Sequence, residues 1–240
     1  MSQAAWRLHV YESLASTSDL CRALAAEGEP DGFAVLARRQ TAGRGSRGRD
    51  WVSEPGNFAL SVLIRPSDRP REAGLWALLA GVAVAESLGR DDIVLKWPND
   101  LLLDGAKCGG ILVETSVGPT GGLDWMVIGM GVNLAGAPEI VGRSLAATGG
   151  DIAPESLAGR VLERLAYWRR LRLLEGWAPV RAAWLARAVP LGELMTWRQD
   201  DREIGGAFAG LGEDGSLLLA TGGRVHAVST GEIWMDGRAC

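Results

Sequence analysis

Apolar residues recur along the chain first at helical and then at strand spacing, and each change of period marks an element. Ser13, Ser16, Thr17 and Ser18 precede the run Asp19–Glu27, and Gly28 follows it, so an N-cap cluster, a short amphipathic helix and a glycine stop are predicted there. Phe33–Ala37 is an unbroken apolar run of strand length, and Asn57–Ile64 alternates as a strand that ends before Pro66. Glu72–Leu88 is mostly apolar and closes at Gly89, which predicts a helix buried against a sheet.

From Ile93 to Asn133 the pattern breaks into short β-rich runs around Pro98-Asn99-Asp100, Asp104-Gly105 and Gly118–Gly122. Antiparallel strands joined by tight turns are expected, with Asp-Gly the clearest hairpin signal. Leu157–Leu174 and Trp177–Ala188 return to helical spacing, with Leu157, Val161, Leu165 and Trp168 on one face. After Pro190 the helical pattern vanishes, and short strands between Glu213-Asp214-Gly215 and Gly222-Gly223 predict a small β-barrel. The chain therefore divides, on this reading, into residues 1–189 and residues 190–240.

Composition narrows the class. With 240 residues, 47% apolar and 22% charged, the chain has the makeup of a globular protein able to bury a core without staples. Cys21, Cys108 and Cys240 are odd in number and widely spaced, which suits a reducing cytoplasm and offers no zinc framework. The N-terminus lacks a secretory pattern, and Leu75–Ala85 is too short to span a bilayer of roughly 30 Å, so a cytoplasmic protein with no membrane partner is expected. A net charge of -4 opposes general binding to nucleic acid. Arginine has displaced lysine except at Lys96 and Lys107, and a lysine kept in such a background marks a place where a guanidinium does not serve. His9 and His226 stand alone, which leaves little basis for a histidine metal site or triad. Trp168, Trp177 and Trp184 fall on helix faces and read as core or contact residues.

Two segments carry candidate chemistry. Gly43-Arg44-Gly45-Ser46-Arg47-Gly48 has the letters of a dinucleotide fingerprint, but Pro55 and Gly56 follow where that fingerprint needs a helix. What remains is a run of glycine amides with Arg38, Arg39, Arg44, Arg47 and Arg49 and no acid among them up to Arg49. Such a set suits a carboxylate and a phosphate held together, as in an acyl-adenylate, and equally fits a solvated basic loop or an RNA contact. Trp51, just after it, is either core or a plate for a base. In the second segment, Lys96-Trp97-Pro98-Asn99-Asp100 places an amine, an amide and a carboxylate at a turn, and Lys107 with Gly109 and Gly110 follows in the same hairpin. Asn99 and Asp100 are either simple turn formers or polar groups of a cleft, where a lysine neutralises a carboxylate and the phosphate ester made from it.

Taken together, GRGSRGRDWVSEPGN, LKWPND, AKCGGILVE and VIGMGVNL resemble, in order and over essentially the whole chain, the biotin protein ligases of the biotin–[acetyl-CoA carboxylase] ligase type. The resemblance implies an α+β fold: a mixed sheet with flanking helices like that of class II aminoacyl-tRNA synthetases, and an SH3-like barrel after Pro190. It implies the form without an N-terminal DNA-binding module, since the catalytic pattern starts close to Met1, and hence no DNA partner. It implies activation of biotin with Mg-ATP as biotinyl-5′-AMP, followed by transfer to a lysine of a biotin carboxyl carrier protein or other biotin-dependent carboxylase, by a monomer or homodimer. By motif position, Ser16, Thr17, Ser18 and Gln40 would meet the ureido end of biotin, and Gly43, Arg44, Gly45 and Ser46 would wrap its carboxylate. Lys107 would bridge that carboxylate and the α-phosphate, with Arg44 and Asp100 in catalysis and Gly110 as pocket wall. Arg47, Arg49, Trp51, Lys96, Asn99, Gly129 and Asn133 would face the nucleotide, and Asp100 is also the candidate ligand for magnesium. Lys96 would either work on the phosphate or only secure the hairpin.

Two departures from the family pattern stand out. Ser18 replaces a usual asparagine, and Ser46 replaces the central arginine of the loop, which implies a faster escape of the adenylate. The alternatives are a lipoate or octanoate ligase, a protein that binds biotin without turnover, and a nucleic-acid-binding regulator. A pocket of hydroxyls and an amide favours a ureido ring over a linear acyl chain.

Overall fold

The structure is a computed structural model, and residues 6–140, 144–150, 152–235 and 238–239 are described; the expected features at Met1–Ala5 and at Cys240 lie outside them. Seven strands form the main sheet: β1 (Arg7–Tyr11), β2 (Phe33–Ala37), β3 (Phe58–Ile64), β4 (Ile93–Lys96), β5 (Asp100–Leu103), β6 (Ala106–Val117) and β7 (Leu123–Val132). Their order is β1-β2-β3-β7-β6-β5-β4, and only β1 and β2 run parallel. The expected mixed sheet is present. β1 was not anticipated, because two of its five positions are exposed and Arg7-Leu8-His9-Val10 shows no clean alternation of burial.

Helix α1 (Thr17–Ala26) covers one face of the sheet, with Cys21 and Ala25 packed on Phe33, Val35, Leu63 and Val127. Ser16 caps it by accepting from the Asp19 N–H at 3.3 Å. Helix α2 (Ala73–Leu88) lies on the opposite face and buries Leu75, Leu78, Leu79 and Val82, each worth about 1.5–3 kcal/mol of apolar transfer. It stops where Gly89 takes the left-handed conformation, φ 67°. Helices α3 (Pro154–Glu175) and α4 (Ala178–Ala186) pack behind α2, and Trp168 and Trp184 are buried as expected.

Asp104 and Gly105, with φ 49° and 75°, form the tight turn between β5 and β6 that their sequence announces. Beyond residue 190, β8 (Leu194–Gln199), β9 (Arg202–Leu211), β10 (Leu217–Thr221), β11 (Arg224–Val228), β12 (Glu232–Met235) and β13 (Arg238–Ala239) make a second, antiparallel sheet in the order β11-β10-β9-β8-β12-β13. The apolar core does not stop at residue 190: Trp97 and Trp184 of the first part share one cluster with Met195, Trp197, Phe208 and Ile233 of the second. A backbone join at Leu95, which donates to Arg187 O and accepts from Val189 N–H, fixes the passage from one sheet to the other.

Candidate active site

The site is built on a floor of small residues. Register sets Ala59, Gly131, Gly110 and Asp100 side by side across β3, β7, β6 and β5, and sets Ser61, Gly129 and Leu112 side by side across β3, β7 and β6. Alternation turns these side chains to the face that α1 covers. A Cβ at Gly129 would lie 2.6 Å from Ser18 Oγ, and one at Gly131 would lie 2.6 Å from Trp51 Cε2, so both glycines make room for a neighbour, and Gly129, expected at the nucleotide, lies instead beneath the hydroxyls of Ser18 and Ser61. The resulting cleft is lined among others by Thr17, Ser18, Gln40, Arg44, Trp51 and Lys107.

At one end hydroxyls and an amide converge. Gln40 Oε1 accepts from Thr17 N–H at 2.8 Å and from Thr17 Oγ1 at 3.1 Å, while Ser61 Oγ lies 2.8 Å from Thr17 Oγ1 and 3.0 Å from Ser18 Oγ. Hydroxyl protons rotate, so this network has both donors and acceptors to present to a polar ring. Ser16, expected here, caps α1 by accepting from the Asp19 N–H, which leaves its own O–H to donate, and it stands beside Thr17 at the edge of the cleft lining.

At the other end stands Lys107, which shares Asp100 with Lys96, the chain's other lysine. Asp100 Oδ1 receives a short hydrogen bond from Lys107 Nζ, and Asp100 Oδ2 lies 3.1 Å from Lys96 Nζ. Burial alone would raise the Asp100 carboxyl, yet the Lys107 and Lys96 charges outweigh it and hold it below the usual carboxylate range. Lys107 reaches the cleft; Lys96 is 2% exposed and donates to Ile233 O at 3.2 Å, so it secures β12 against the hairpin. Asn99 lines the cleft and ties its own turn to β6 through Ile111 O at 2.6 Å.

The arrangement corrects the magnesium expectation for Asp100. Both carboxylate oxygens face ammonium groups, and among the described residues no three of His, Cys, Asp and Glu gather as a metal site. These residues do not fit a protein-held magnesium ion. Asn133, expected at the nucleotide, directs its Nδ2 to Ala146 O at 3.3 Å and is buried outside the cleft.

The glycine-arginine loop closes on itself. Trp51 N–H donates to Gly43 O at 2.9 Å and Gly45 N–H to Arg49 O at 2.7 Å, with a turn at Ser46–Gly48 in which Arg47 holds φ 59°. That hairpin engages the Gly45 amide internally. Arg44 lies 2.8 Å from Asp19 and 3.0 Å from Glu114, both of which also reach Arg22. Burial would lower the Arg44 pKa, but the bond to Asp19 and the charge of Glu114 raise it overall, so its charge is secure. Arg47 and Arg49 leave the first cleft and line a second, of about 410 Å³, with Lys96, Asn99, Asp100 and Glu232. Ser46 lines both.

Residues that sequence reasoning missed include Ser61, Gly131, Glu114 and Glu232. Gly129 and Gly131 are two positions apart in a strand and share a face, and this spacing was the available signal for a bare floor. Glu232 carried none, because its partners lie almost the whole chain away.

With this geometry in hand, the comparisons with known proteins are informative. The profile of the biotin/lipoate A/B protein ligase family matches residues 10–133. The chain is 37% identical to the biotin–[acetyl-CoA-carboxylase] ligase of Paracoccus denitrificans over 85% of its own length and 90% of that protein. Its fold superposes on biotin protein ligase from Aquifex aeolicus, solved with biotin and ATP, at a TM-score of 0.79 and 25% identity, covering 95% of this chain and 97% of that one. The Leishmania major biotin protein ligase in complex with biotinyl-5-AMP gives a TM-score of 0.59 at 25% identity, covering 93% and 98%. This chain belongs to the biotin/lipoate A/B protein ligase family.

Proposed function

We propose that the chain is an ATP-dependent biotin protein ligase that makes biotinyl-5′-AMP and passes the biotinyl group to a lysine of a biotin carboxyl carrier protein. The observation that carries this reading is one cleft with a hydroxyl and amide network at one end and Lys107 at the other. The network of Thr17, Ser18, Ser61 and Gln40 suits the N–H and C=O groups of a ureido ring, and the lining of Gly110, Ile111, Leu112 and Gly129 suits an apolar tail.

In the first step a carboxylate oxygen of biotin attacks the α-phosphorus of ATP and pyrophosphate leaves. Lys107 stands where negative charge accumulates between carboxylate and phosphate, and its ion pair with Asp100 aims it. Arg44 closes the cleft beside it, and Trp51 offers a ring for the nucleotide base. Magnesium enters with the nucleotide, as part of the Mg-ATP substrate. In the second step the ε-amine of the acceptor lysine attacks the acyl carbon and AMP leaves. Residues 190–240 are read as an SH3-like unit that borders the second cleft through Gly231 and, from β12, Glu232 and Ile233. Among the described residues no helix is long and apolar enough to cross a membrane.

The test is ATP–pyrophosphate exchange with the purified chain and Mg-ATP, run with biotin, lipoate, octanoate and no acid. Exchange with biotin alone is expected, followed by biotinylation of a carboxylase carrier domain. Exchange with lipoate or octanoate instead reassigns the substrate, and exchange with none of them overturns the reading.

A further inference from the structure

We infer that Asn57, outside both clefts, is a positioning residue that sets Lys107 for adenylation; this rests on the role proposed above for Lys107. Asn57 immediately precedes β3 and has no solvent exposure. Its Oδ1 accepts from three consecutive backbone N–H groups, Leu134 at 3.0 Å, Ala135 at 3.0 Å and Gly136 at 3.2 Å, and its Nδ2 donates to Gly136 O at 2.7 Å. One planar amide thus serves as acceptor and donor to the same turn. Aspartate of the same shape lacks the donor, and alanine lacks both.

The turn that Asn57 fixes carries the next link. Asn133 O and Leu134 O accept from Thr148 N–H at 2.7 Å and Gly149 N–H at 3.0 Å, and Asn133 Nδ2 donates to Ala146 O. This lays residues 144–149 alongside the end of β7. That segment grips Lys107: Lys107 N–H donates to Ser144 O at 2.9 Å, and Ala146 N–H donates to Lys107 O at 2.9 Å. Pairing of β6 with β7 begins only at Gly109, so at Lys107 the place of β7 is taken by residues 144–146. On the other edge the β5–β6 pairing shifts register between Leu101 and Leu102, next to the Lys107 partner, and gives a less regular hold.

The Lys107 ammonium therefore sits on a backbone whose outer edge is held through Ser144–Ala146, Asn133 and finally Asn57. A misplacement of about 1 Å at a reacting group costs on the order of 10²-fold in rate, so this chain of bonds matters to chemistry even though Asn57 touches no part of the cleft.

The experiment compares the wild-type chain with N57A, A146P and the double variant by biotin-dependent pyrophosphate exchange, and maps amide hydrogen exchange. A146P removes the N–H that reaches Lys107 O and leaves Asn57 intact. Expected for N57A is a fall in kcat of about 10- to 100-fold, with faster amide exchange at residues 134–136, Lys107 and Ala146 and none in β2. A146P reproduces the fall, and the double variant is no worse than the poorer single one, as for links of one chain. If N57A does not fold, N57D, which keeps the acceptor, takes its place with a smaller fall in the same direction. Wild-type kcat in either folded Asn57 variant, faster exchange at 134–136 that stops short of Lys107, or additive losses in the double variant overturns the inference. A wild-type chain that shows no biotin-dependent exchange instead overturns the proposed function, while hydrogen exchange still reads the link from Asn57 to Lys107.

Discussion

Arg49 Nη1 donates to Glu232 Oε1 at 2.6 Å, joining the glycine-arginine loop to the C-terminal sheet across 183 positions of sequence. Arg47 Nη1 reaches the other oxygen, Oε2, at 3.5 Å. Burial would raise the Glu232 carboxyl, but the bond and charge of Arg49 outweigh it and lower its pKa. The loop that borders the cleft is thereby tied to a second sheet, which gives residues 190–240 a physical route to the site.

That tie predicts a change in loop dynamics with little change in fold. In Glu232→Ala, tryptic cleavage at Arg47 and Arg49 should accelerate severalfold, while global stability moves by less than about 1 kcal/mol, as for other partly exposed ion pairs. Limited proteolysis beside a thermal melt measures both. Equal cleavage of variant and wild type refutes the tie.

Asp100 predicts a steeper response. Asp100→Asn leaves two ammonium groups facing a neutral amide, and loss of one partner of a buried pair costs about 3–5 kcal/mol. Because the folded pKa of Asp100 lies below its ordinary value, its stabilisation is complete above about pH 4 and is lost as pH falls through the folded value. Wild type and variant should therefore converge in stability in strong acid and diverge at neutral pH. Urea melts across that range check the sign.

The two floor glycines separate the ends of the cleft. Gly129→Ala drives a methyl into Ser18 Oγ, and Gly131→Ala drives one into the Trp51 ring. Overpacking of this kind costs about 1–3 kcal/mol when the neighbour can shift. Gly129→Ala should weaken biotin more than ATP, and Gly131→Ala should weaken ATP more than biotin and alter tryptophan fluorescence. Calorimetric titration with each ligand distinguishes them, and equal losses for both ligands in both variants would contradict this assignment.

Most of the fold was legible because its signals are local. Gly89, Asp104-Gly105 and the Ser16 cap announce their elements within a few residues, and α2 announces its burial by being apolar nearly all round. Thr17, Ser18, Gln40, Arg44, Trp51 and Lys107 were found by motif, and the fold brings them to one cleft. What stayed hidden depends on partners distant in sequence. Asp100 looks like a metal ligand until Lys96 and Lys107 are seen on its two oxygens, and β1 is recognisable only beside β2. Ser61 and Glu232 are ordinary polar residues whose meaning comes from register and from contact between sheets.

The cysteines give an independent check on packing. Cys21 lies on the buried face of α1 and Cys108 in β6, and burial pushes both thiols up to about 12. At pH 8 neither presents an appreciable thiolate, the reactive form. Both should therefore resist a thiol reagent in the native chain and react together only as it unfolds. Peptide mapping after labelling identifies the sites, and native labelling of Cys108 would show that β6 opens beside Lys107.

Ser46 bears on how long the activated intermediate stays bound. It lines both clefts, where a longer basic side chain would stand between them, and its hydroxyl accepts from Arg49 Nη2 at 3.2 Å. An arginine at this position would add a guanidinium near Asp100 and the developing phosphate, and one charge-assisted bond of about 1.5–3 kcal/mol corresponds to roughly 10- to 100-fold in dissociation. Ser46→Arg should therefore slow escape of the biotinyl adenylate by about that factor, without raising the rate of its synthesis. Release is read by trapping free adenylate after single-turnover formation with excess enzyme. A release rate unchanged from wild type would show that retention is governed by other parts of the loop.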